Sequence, residues 1–216
     1  MRTTPQSPTT LYEKCNTTAS INYSMVRKFK PIDIYRLFCV SLLRDKWYYS
    51  RATHKEIAEL SQTKTDGNFA NVFSEFLDKK HYRDSDGCRE YNPLRCVYSI
   101  PAMELKCVSI NKTFTLLELD AKIKGLLIQL YLLQQYSGVE LTKQFVRKEL
   151  SISAPTLNKY LLELQVNDLI KYGSNGEIIV AADQYFEASD FRQQKLASKR
   201  ELEIKSLPNI TFNTKS

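Results

Sequence analysis

The sequence predicts a mainly α-helical chain with small β-hairpins, laid out as two successive units of one plan, and three observations predict it. Apolar residues recur at helical spacing in several separate stretches. Short β-branched and aromatic runs flank two turn signals, Asp86-Gly87 and Gly173-Ser174-Asn175-Gly176. The order helix, helix, helix, hairpin is met twice within 216 residues, a length that suits two compact cores. The duplication rests on element order and not on residue identity.

Residues 1–23, polar and rich in Thr, Ser and Pro at their start, are expected to be a flexible tail. Ile32 to Trp47 reads as the first helix, with Ile34, Leu37, Phe38, Ser41 and Leu42 along one face. Trp47-Tyr48-Tyr49 is expected to close that helix and enter the core, with stacking on unpaired bases as the alternative. Thr53-His54-Lys55-Glu56 has the pattern of a capping box and opens a two-turn helix through Ile57, Ala58 and Leu60. Phe69, Val72, Phe73 and Phe76 predict a third helix, and Lys79 to Ile100 a hairpin. Residues 24–102 form the first unit on this reading.

The second unit spans residues 103–183. Leu116 to Leu133 is strongly apolar and helical, Thr142 to Leu150 is a short second helix, and Ser153-Ala154-Pro155 opens a third. Leu157, Tyr160, Leu161 and Leu164 supply the buried stripe of that third helix. Leu169 to Tyr172 and Glu177 to Val180 then make a two-stranded ribbon. Residues 184–216 read as a charged C-terminal segment, helical in part. Three helices followed by a hairpin is the order of a winged helix-turn-helix domain, so the expected fold is two such domains in tandem.

Leu119 to Ile128, Ser153 to Leu157 and Leu164 to Ile170 resemble the winged-helix domain of DnaD-type replication initiators and phage replisome organisers. The resemblance covers about one third of the chain, and its motifs are mostly those that determine the fold. It implies DNA binding at an origin or operator.

Charge points the same way. The formal net charge is +7 and the pI about 9.1, which favours a polyanionic partner through counterion release. Enzymatic readings find little support, and no catalytic residue, cofactor or metal is expected. The two histidines, His54 and His81, form no His-x-His pair, and no GxxxxGK[ST] phosphate loop is present. Cys88 and Cys96 with His81 match the spacing of no common zinc site. The five cysteines form no CxxC and are expected to be reduced thiols. The start of the chain lacks the apolar run of a signal peptide, and nowhere do 18 apolar residues stand together. A cytoplasmic protein, nucleoid-associated or otherwise intracellular, with no membrane contact is expected.

In a helix-turn-helix the third helix enters the major groove, so its outward residues near the N-terminus must be polar. In the second unit these are Ser153, Thr156, Asn158 and Lys159, with Lys143, Arg147 and Lys148 on the preceding helix and Asn175 in the hairpin turn. In the first unit Asn68 and Asn71 face outward, while Lys64, Lys79, Lys80 and Arg83 are placed to grip phosphate. The expected function is non-enzymatic binding of double-stranded DNA in replication initiation, its control, or transcriptional regulation. The alternative is a protein-interaction adaptor of a replication or transcription assembly. There Leu162, one position off the buried stripe, or the C-terminal segment would meet a protein partner or a second copy of the chain.

Overall fold

The computed structural model describes residues 10–64, Val72 and residues 97–190. Among these, helices predominate over small antiparallel sheets. The helices are α1 (Leu11–Lys14), α2 (Pro31–Leu42), α3 (His54–Ser61), α4 (Ala121–Tyr136), α5 (Lys143–Leu150) and α6 (Ala154–Val166). The strands are β1 (Thr18–Asn22), β2 (Tyr49–Ser50), β3 (Tyr98–Ser99), β4 (Lys106–Asn111), β5 (Ile170–Tyr172), β6 (Ile178–Val180) and β7 (Phe186–Asp190). The expected third helix of the first unit, apart from Val72, which is helical and half-buried, lies outside the described residues, as do the Asp86-Gly87 turn and residues 191–216.

Several expectations hold at the level of single elements. Thr53 caps α3, its hydroxyl accepting from the Glu56 amide at 3.2 Å while the Glu56 carboxylate accepts from the Thr53 amide at 2.8 Å. Ser153 caps α6, and Pro155 sits in the first turn of α6, where a missing amide costs nothing; α5 starts at Lys143, one residue later than expected, with Thr142 as its cap. Strands β5 and β6 pair as the predicted ribbon.

Other boundaries move, each for a local reason. The first helix ends at Leu42 and not at Trp47, because the Asp45 carboxylate accepts from the amides of Trp47 and Tyr49 and folds the chain into a tight turn. Trp47 and Tyr48 consequently stay out of the core, 70% and 45% exposed. The helix expected from Leu116 starts at Ala121, since Asp120 caps it through the Lys122 amide and residues Lys112–Leu116 form a separate 3-10 turn. The stretch read as tail contains β1, and the start of the segment read as partly helical is β7.

These two strands flank β4 in a three-stranded sheet of order β1-β4-β7 that the sequence pattern did not reveal. The buried side chains form one cluster that runs from Ala19 and Phe38 through Leu126 and Leu130 to Leu161 and Phe186. Helix α2 packs on α4 at its centre. The closest approach is at Gly125, where a Cβ would lie 1.6 Å from the Pro31 carbonyl oxygen.

Between Ser20 and Gln62, several positions match residues 89 positions later in the chain. At that spacing Ser20-Ile21-Asn22 falls on Ser109-Ile110-Asn111, Ile34 on Ile123, and the cap Thr53 on the cap Thr142. Ile57 and Val146 are both fully buried, and the C-caps Gln62 and Ser151 share a left-handed backbone, φ 54° and 52°. Ser20 pairs in register with its own counterpart Ser109, their hydroxyls 3.1 Å apart, and Tyr35 meets its counterpart Lys124. Equivalent residues thus meet at two places, in the antiparallel β1–β4 pair and between α2 and α4, as a local twofold through the Ser20–Ser109 pair would bring them together.

Candidate nucleic-acid interface

The candidate site is the corner where α5 turns into α6. Leu150 ends α5, Ser151 takes a left-handed backbone, and Ser153 caps α6 by accepting from the Thr156 amide at 3.4 Å, while its hydroxyl donates to Thr156 Oγ1 at 2.8 Å. A turn this short sets two helices across each other, held by Val146, Leu157, Leu161 and Leu164 in the core.

Two concavities flank the turn. One, of about 570 Å³, is lined by Gln144, Arg147, Lys148 and residues 151–153. The other, of about 310 Å³, lies between the turn and the first unit, with Lys30, Pro31 and Ile32 from the start of α2, Lys122 from the start of α4, and Thr156 and Tyr160 from α6. Lys30, Lys122, Arg147 and Lys148 are all exposed. The neighbouring acid Glu149 is paired with Arg27. Burial and the nearby Asp120 charge raise the pKa of Tyr160, so it remains a neutral hydroxyl at the pocket wall. The corner thus combines the positive end of the α6 dipole with four cations and several hydroxyls, an arrangement suited to phosphate.

The equivalent positions of the first unit carry other side chains. There Asp33 stands at the position equivalent to Lys122, and Arg36 at that of Gly125. Arg36 lies 3.6 Å from Asp33 and donates to Thr63 Oγ1 at 3.2 Å and to the Lys64 carbonyl at 3.0 Å. Arg36 is thus engaged with Asp33, Thr63 and Lys64, whereas Lys122 is exposed at the wall of the second concavity.

The predicted site residues divide accordingly. Lys143, Arg147, Lys148, Ser153, Thr156, Asn158 and Lys159 are all exposed on α5, α6 and the turn between them. Lys143 also lies 5.4 Å from the Tyr172 ring centroid, tying α5 to the hairpin. Asn175 shapes the hairpin turn, accepting from the Glu177 amide and donating to Glu140. Lys64 is exposed, its carbonyl accepting from Arg36, and Asn68, Asn71, Lys79, Lys80 and Arg83 lie outside the described residues. Lys30 and Lys122 escaped the sequence reading because they reach the turn from other elements. Their signal is local: a lysine in the first turn of a helix opposes the helix dipole and invites an external anion.

Among the described residues no three His, Cys, Asp or Glu side chains converge on a metal position. The thiol of Cys39 is fully buried, and burial pushes its pKa up, as it does for the adjoining Tyr35 hydroxyl. The chain matches no family model, no curated protein and no solved structure. Among the described residues no helix is long and apolar enough to cross a membrane.

Proposed function

We propose that the chain is a non-enzymatic, cytoplasmic DNA-binding protein that grips the phosphate backbone of a duplex with the α5–α6 corner and offers the first half of α6 to the major groove. On this reading α4, α5, α6 and the β5–β6 ribbon form a winged helix, and the first unit, related by the local twofold, forms a second. The observation that carries it is the open cationic corner, where Lys30, Lys122, Arg147 and Lys148 surround the start of α6. The process is replication initiation or its control, with transcriptional regulation as the close competitor, since one fold serves both.

The experiment is fluorescence anisotropy of the chain with a random-sequence duplex across a salt series. Expected is binding that weakens steeply with salt, and a salt slope that falls by about 1 for each of Lys122, Arg147 and Lys148 replaced by alanine. No binding at low salt defeats the reading.

One observation favours the adaptor reading instead. Leu162 and Val166, one turn apart on the outward side of α6, are 61% and 74% exposed. Leu162→Glu leaves duplex affinity within about threefold if α6 enters the groove only by its first half, and it abolishes a protein partner or self-association if the adaptor reading holds.

A further inference from the structure

The Arg44–Ser50 turn, which follows α2, presents two large aromatic rings to solvent. Trp47, the single tryptophan of the chain, is 70% exposed and Tyr48 45%. An exposed indole gains almost none of the burial free energy that usually retains one. The turn that carries it is nonetheless closely tied. Asp45 Oδ1 accepts from the Trp47 and Tyr49 amides at 2.8 and 3.0 Å, the Asp45 amide donates to the Tyr49 carbonyl at 2.7 Å, and the Ile100 amide donates to the Tyr48 carbonyl at 2.8 Å. Arg44 bridges to Ser50 across the base.

Each ring has a cation near one face. The Lys46 ammonium is 5.3 Å from the Trp47 centroid, and the Arg44 guanidinium, itself donating to the Thr18 and Ser41 carbonyls, is 5.4 Å from that of Tyr48. From position 44 to 55 the chain carries Arg44, Lys46, Arg51 and Lys55 against one acid, Asp45, whose Oδ1 is engaged by backbone amides. A flat ring with a cation beside it complements a flat base joined to a phosphate. Within a duplex, base faces are covered by neighbouring bases, so such rings can engage only unpaired ones.

We propose that the Trp47–Tyr48 turn is a stacking platform for the unpaired bases of single-stranded DNA. The proposal goes beyond duplex binding and occupies a different surface: α2 has 12 residues, which separates the turn from Lys30 by roughly 18 Å at 1.5 Å per residue. Because the tie-down is already made, little ordering cost falls on binding.

The test uses the intact chain and an oligothymidylate of roughly a dozen nucleotides, within the span that such platforms cover, with Trp47 emission as the readout. Saturable quenching by the single strand and a far weaker response to a hairpin duplex are expected. Trp47→Ala lowers affinity for a labelled oligothymidylate at least about tenfold, while Trp47→Phe retains most of it. Tyr48→Gly, which suits the left-handed backbone at φ 63°, also weakens binding. Circular dichroism confirms that each variant is folded. Absence of quenching at low salt, equal quenching by the duplex, or unchanged affinity in Trp47→Ala overturns the platform. The duplex anisotropy of the Lys122, Arg147 and Lys148 variants stands independently of all three results.

Discussion

Gly125 and Lys124, neighbours on α4, show how single side chains hold the two halves together. No Cβ fits at Gly125, because the Pro31 backbone occupies its place at 1.6 Å. Gly125→Ala therefore forces α2 away from α4 and is expected to cost about 3 kcal/mol in chemical denaturation. Lys124 is fully buried, donating to the Thr115 carbonyl at 2.9 Å and facing the Tyr35 hydroxyl at 3.4 Å and its ring at 5.2 Å. Desolvation lowers its pKa below the usual 10.5, partly opposed by Cys39 and Asp120. The folded state then binds fewer protons than the unfolded one between the lowered value and 10.5, so stability rises with pH across that window. The difference between the wild-type and Lys124→Met stability curves should climb with pH toward 10.5, and a flat difference shows that Lys124 titrates normally.

At the scale of elements, the two capped helices offer an internal comparison. Thr53 and Thr142 occupy equivalent positions, yet Thr53 belongs to a reciprocal box with Glu56, whereas Thr142 caps α5 with its hydroxyl alone, Phe145 standing where the glutamate would be. Thr142→Ala should lower stability by about 1 kcal/mol, and Thr53→Ala by more, because the Thr53 hydroxyl not only accepts from the Glu56 amide but also donates to the Glu56 carboxylate at 2.9 Å, while the backbone half of the box survives. Equal losses in thermal denaturation would show that the bond from the Thr53 hydroxyl to the Glu56 carboxylate adds nothing. The caps, the buried stripe of α6 and the β5–β6 turn were all legible in the sequence, since each depends on residues within a few positions of one another. The end of α2 was less so: the apolar pattern carries on through Trp47, and only the Asp45 side chain turning back on the chain ends the helix.

The whole molecule is joined by β4. It pairs with β1 before the first unit and with β7 after the second, and Tyr131 of α4 stacks on Phe186 of β7 at 4.5 Å while its hydroxyl donates to Asp183. Burial first, and the Asp183 carboxylate beside it, push the Tyr131 pKa up to about 12. One core and one sheet shared by both halves imply a single cooperative unfolding transition, with calorimetric and van't Hoff enthalpies in agreement. Two resolved transitions would mean that the halves fold as separate domains.

Local information in the sequence determined the helix-forming stretches, their caps, the ribbon and the exposed basic residues of α5 and α6, because propensity, capping and amphipathic spacing act over a turn or two. The recurrence of Ser-Ile-Asn at 20–22 and 109–111 was also present in it, but three residues acquire meaning only when the strands pair. Tertiary structure alone decided the sheet β1-β4-β7, the approach of α2 onto Gly125, the exposure of Trp47, and the convergence of Lys30 and Lys122 on the start of α6. Each joins residues from separate elements, and such contacts are selected by packing and charge across the core, which no local spacing along the chain encodes.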